Sequence, residues 1–69
     1  MRIFLSAPVS EIKLQNTIGL LRAAMLRVES GAVVLDRAKP ATGVIVMHSD
    51  KDVGEAIDVL ARAGIRAWT

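Results

Sequence analysis

Sixty-nine residues with no cysteine and one histidine exclude a disulfide framework and leave too few ligands for a closed zinc site. A chain of this length forms one domain, expected to span residues 1–69, with a core barely large enough to offset the entropy of ordering it. Nine Lys and Arg stand against seven Asp and Glu, for a net charge of +2, and no two basic residues are adjacent, the pattern of a solvated surface and not of a nucleic-acid footprint.

In chain order, Arg2 to Ser6 reads as a first strand, with Ile3 and Leu5 on one face and Arg2, Phe4 and Ser6 on the other. Ala7-Pro8-Val9-Ser10 ends it, and Ser10 before Glu11 is an N-cap signal. From Glu11 to about Val28 the residues Leu14, Ile18, Leu21, Met25 and Val28 recur at spacings of four and three, widened by Leu20 and Ala24. That spacing predicts an amphipathic helix closed by Gly31 as a left-handed C′ residue. Gly19 inside it reads equally as a tolerated helix glycine or a close approach. Ala32 to Leu35 follows as a second strand, with Asp36, Arg37 and Lys39 as charges that suit a sheet edge.

Lys39-Pro40-Ala41-Thr42 is the expected connection, with Pro40 keeping the turn out of the ladder, and it leads to Gly43-Val44-Ile45-Val46-Met47-His48. Four consecutive large apolar residues suit a central strand and are too few for a helix. Ser49 then caps a second helix with Asp50 and Asp52 in its first turn. Val53, Ile57 and Leu60, flanked by Ala56 and Ala63, form its buried stripe; Lys51 with Glu55 and Asp58 with Arg62 are i,i+4 pairs on the wet side. Gly64 stops it with Ile65 as the accompanying apolar contact, and Ile65 to Trp68 is a last strand.

The order βαββαβ predicts an α+β, ferredoxin-like sandwich: a four-stranded antiparallel sheet with two helices on one face, first and third strands central, second and fourth at the edges. No internal repeat stands out. With Ile3, Leu5, Ile45 and Met47 turned to the helices, Phe4, Val44, Val46 and Trp68 turn away, joined by Val34 or by Val33 with Leu35. An apolar patch of that kind marks an interface. Together with the 52% hydrophobic content, it predicts a homo-oligomer, most simply a homodimer.

Chemistry-bearing residues are sparse. His48 lacks a nucleophile beside it, Glu55 and Asp58 have cationic i,i+4 partners, and Gly54 and Gly64 lack the Gly-Lys-hydroxyl ending of a phosphate loop. The expectation is therefore no enzyme, no metal and no cofactor. Base stacking on an open sheet needs aromatics on the central strands, and only Phe4 and Trp68 are aromatic, so nucleic acid is not an expected partner. No run approaches the roughly 18 apolar residues that span a bilayer, and Met1 to Ser6 lacks a signal-peptide core; a cytoplasmic location is expected.

The segment from Thr42 to Trp68 resembles the second half of an ACT domain on Gly43, the apolar Val44 to Met47, Ser49-Asp50, and Ala63-Gly64-Ile65. Where that family commonly carries a glycine between first strand and first helix, this chain has Ser6-Ala7-Pro8-Val9-Ser10. The resemblance implies a small regulatory or ligand-sensing module. An amino acid or similar small ligand would lie at Ser6, Ala7 and Ser10, where this loop meets the neighbouring subunit. The alternative is a protein-interaction subunit of a larger assembly that binds no small molecule.

Overall fold

The computed structural model describes residues 1–6 and 8–69. Its elements are β1 (Arg2–Leu5), α1 (Glu11–Ala23), β2 (Val28–Asp36), β3 (Lys39–Met47), α2 (Asp50–Arg62) and β4 (Ala67–Trp68). All strand pairs are antiparallel in one open sheet of order β2-β3-β1-β4, so the first and third strands are central, as their apolar character predicts. Ile3 and Leu5 of β1 and Ile45 and Met47 of β3 are buried beneath Leu14, Thr17, Ile18 and Leu21 of α1 and Ala56 and Leu60 of α2. This single core, on one face of the sheet, makes the fold α+β.

Both helices begin and end by the same local chemistry. The Ser10 hydroxyl accepts from the Lys13 amide at 3.1 Å, and the Ser49 hydroxyl from the Lys51 amide at 3.3 Å, each satisfying one of the amides a helix start leaves unpaired. At the other end of α2, Gly64 has φ +78 and its amide donates to the Ala61 carbonyl, while the Ile65 amide donates to Leu60 at 2.8 Å. That bond pair is a Schellman motif, with half-buried Ile65 as its apolar anchor.

The end of α1 differs from the sequence expectation. The helix does not reach Val28 and Gly31 does not close it: Met25, at φ +65, takes the C′ position, its amide bonded to Arg22 and that of Leu26 to Leu21. Leu26 is buried and Met25 is 89% exposed, so the apolar spacing through Met25 and Val28 is fortuitous. Val28 instead opens a nine-residue strand, twice the length expected, because nine residues of β3 offer it a ladder. Gly31 lies inside that strand, where an added Cβ would meet Ile18 Cδ1 at 2.7 Å. Gly19 has nothing within 4 Å of such a Cβ, so it is the tolerated glycine and not a close approach.

The hairpin is also tighter than expected. Its loop is Arg37-Ala38 alone, and Pro40 lies within β3. There two residue steps on β2, Val34 to Asp36, face three on β3, Thr42 to Lys39. A bulge tolerates a missing amide, which explains the proline in a strand. On α2, Ala63 is the exposed C-cap and no part of the buried stripe; β4 starts at Ala67, because Ile65 anchors the helix end.

An internal repeat, unseen in the sequence, emerges once the ends of the helices are known. Aligning the two caps superposes two thirteen-residue helices and matches Ser10 with Ser49, Ile18 with Ile57, Leu21 with Leu60, Ala24 with Ala63 and Arg27 with Arg66. Five identities scattered among substitutions such as Thr17 for Ala56 fall below notice until the αL positions, Met25 and Gly64, are seen to coincide.

A candidate interaction face on the sheet

Alternation along β1 and β3 leaves Arg2, Phe4, Thr42, Val44 and Val46 on the face the helices do not cover. Cross-strand register gathers the apolar ones. Trp68 pairs with Phe4, Phe4 with Val44, and Val44 with Ala32, giving one row across all four strands. Directly opposed side chains in such a row lie within contact distance of each other. The next row sets Arg2 and Ser30 on either side of Val46, and on the other side of the first row Val34 pairs with Thr42.

All four residues expected at an interface, Phe4, Val44, Val46 and Trp68, therefore share this face. The choice left open on β2 falls to Val34, with Ala32; Val33 turns toward the helix side, packed against the core. Trp68 is 49% exposed and Phe4 36%, with Val44 and Val46 half-buried. Apolar side chains occupy the centre of the face, and the cation of Arg2 sits at its border. Such a surface loses water on contact with another apolar surface and has little polar chemistry to offer a small ligand. Sequence reasoning missed Ala32, because its face depends on the register with Val44 and not on β2 alone.

Of the expected ligand residues, Ser6 directly follows β1 and Ser10 stands at the start of α1. The Ser10 hydroxyl is engaged with the Lys13 amide, and the Lys13 ammonium reaches the Pro8 carbonyl at 3.4 Å. Ser6 is half-buried, its amide donating to Arg66 at 3.2 Å; Ala7 lies outside the described residues. Val9 is buried, its amide donating to Ala41 at 2.8 Å, and its Cγ1 sits 3.1 Å from where a Cβ on Gly43 would be. Gly43 is what lets the loop lie on β3.

A cleft of about 470 Å³ opens elsewhere, between α2 and β4, lined by Ile57, Ala61, Gly64, Ile65, Arg66, Ala67 and Trp68. Its lining is apolar except for Arg66, and it adjoins the open face through Trp68. His48 is exposed just past β3, its amide donating to the Arg27 carbonyl at 3.1 Å, and Glu55 and Asp58 are exposed on α2. Among the described residues no three His, Cys, Asp or Glu converge as metal ligands, and no helix is long and apolar enough to cross a membrane. Comparison with family models, curated proteins and solved structures finds no match for this chain.

Proposed function

We propose that this chain is a small, non-catalytic regulatory module that works as a homodimer, joined through the open face of its sheet. The observation that carries this reading is the row Trp68–Phe4–Val44–Ala32, an apolar band crossing every strand on the side without helices. The finer form of the architecture is the ferredoxin-like sandwich. It is supported by the strand order, which read from the other edge is β4-β1-β3-β2, the order two split β-α-β units produce with both helices on one side.

In its sensing form, the module takes an amino acid or similar small ligand beside Ser6 and Ser10, against the second subunit, as the ACT-like second half implies. The alternative, an interaction subunit that binds no small molecule, is favoured by one observation: the Ser10 hydroxyl is already committed to its helix cap. A thermal-shift screen with amino acids separates the two, since a ligand at a hundred times its Kd stabilises the folded state by about 2.7 kcal/mol.

The homodimer itself is tested by Trp68, the one tryptophan of the chain. Acrylamide quenching of its fluorescence is expected to fall as protein concentration rises, and Val46→Asp, which sets a charge on the face in the row beside Val44, is expected to abolish that protection while leaving the circular dichroism unchanged. Quenching that ignores concentration in the wild type, or protection that survives Val46→Asp, would overturn the reading.

A further inference from the structure

β2 stands at one end of the strand order and, among the described residues, pairs only with β3. Edge strands are ordinarily guarded by charge, proline or bulges. Here Ser30-Gly31-Ala32-Val33-Val34-Leu35 carries no charge and no proline. The ladder is irregular at both ends of this stretch, in different ways. Between Val28 and Ser30 the extra residue belongs to β2; between Val34 and Asp36 it belongs to β3. β2 therefore runs without an insertion of its own from Ser30 to Asp36, and Val33 is its midpoint. Val34 is 45% and Leu35 82% exposed.

We infer that this edge pairs antiparallel with the same edge of a second copy, about a twofold axis at Val33. Paired antiparallel residues share a face, so this axis sets Ala32 beside Val34 of the second copy on the open face and Gly31 beside its Leu35 on the helix face. Just beyond the paired stretch it also brings Glu29, the inserted residue of β2, near Arg37 in the hairpin loop of the second copy, once at each end, and both residues are exposed. Moving the axis to Ala32 would set Arg27 against Arg37, and moving it to Val34 would put the loop residues Arg37 and Ala38 opposite Gly31 and Ser30, within the paired stretch itself. Charge and continuity thus select the same register. A second copy fits this edge because it supplies both signs of charge at the required spacing, and the twofold contact uses up both edges and stops there. The contact meets the open-face band only at Ala32 and Val34; the aromatic end of the band lies on β1 and β4 at the other side of the sheet.

Native mass spectrometry and light scattering test it, with circular dichroism confirming that each variant folds. With the edge pairing added to the proposed face contact, two face-joined dimers combine and the wild type is expected to be a tetramer, whereas Val46→Asp, which removes only the face contact, is expected to be a dimer. Adding Glu29→Arg to Val46→Asp should weaken the remaining association by about tenfold or more and yield monomer. Adding Arg37→Glu to that pair should restore the dimer, because opposite charges again face each other. Leu35→Lys in the wild-type chain, at a position already mostly in water, should halve the subunit number and serves if Val46→Asp does not fold. A folded Val46→Asp protein that is monomeric at every concentration overturns the edge pairing and leaves the face contact standing, as does a wild type indifferent to Glu29→Arg and Leu35→Lys. A wild type whose assembly is halved by Glu29→Arg but untouched by Val46→Asp supports the edge pairing and removes the face contact instead.

Discussion

Met25 and Gly64 do the same backbone work with different side chains. Each is the left-handed residue after a helix, at φ +65 and +78, and each is followed by an apolar anchor, Leu26 or Ile65. A non-glycine residue in that conformation is strained by roughly 1–2 kcal/mol, and Met25 recovers little of it through packing because its side chain lies almost entirely in water. Met25→Gly is therefore expected to raise stability by about 0.5–1 kcal/mol in urea unfolding. Gly64→Ala should lower it by a similar amount, although a Cβ there would meet nothing within 4 Å. A glycine-free stop is also why the end of α1 is hard to see in the sequence. The signal that would have found it is the pair Leu21 and Leu26, spaced as C3 and C″ of the same motif that Leu60 and Ile65 form around Gly64.

At the scale of elements, legibility follows how local the determinants are. α2 can be read almost whole, since Ser49, Asp50, Asp52, Gly64 and Ile65 each act within a turn of the helix they bound. β2 cannot, because what makes Val28 to Ser30 a strand is the matching length of β3 and not any preference of Val-Glu-Ser itself. The caps permit a direct comparison. Ser10→Ala and Ser49→Ala each remove one hydrogen bond from a helix of equal length and are each expected to cost about 0.5–2 kcal/mol, measured by thermal or urea denaturation. Ser10 should be the costlier of the two, because its bond is shorter and its helix lacks the second acidic residue that Asp52 gives α2. The candidate face was legible for β1 and β3, whose alternation is set by the burial of Ile3, Leu5, Ile45 and Met47. It was not legible for β2, where the residue step at Glu29 shifts which side chains face out.

For the whole molecule, the two halves share one thin core, and the repeat makes their contributions comparable. Leu21 and Leu60 occupy equivalent positions and are both fully buried. Truncating either to alanine is expected to cost about 2–5 kcal/mol. A chain of this size has a total stability on the order of 3–10 kcal/mol, so Leu21→Ala and Leu60→Ala should each leave a protein partly unfolded at room temperature, visible in far-UV circular dichroism and recovered by added osmolyte. The layer on the far side of the sheet is absent in the single chain, which is why association through that side would strengthen a fold with so little interior of its own.

The pairing of Phe4 with Trp68 joins opposite ends of the chain, whereas β2 and β3 meet across a loop of two residues. Loop closure costs grow with the length closed, so the hairpin can zip within microseconds while the β1–β4 contact must wait for nearly everything between them to be arranged. β4, with only two paired residues, is then the last strand to arrive and the first to leave. Each such departure would strip the aromatic end from the open face and undo one wall of the cleft beside α2. The time a folded chain spends with β4 in place therefore sets how long the complete open face exists.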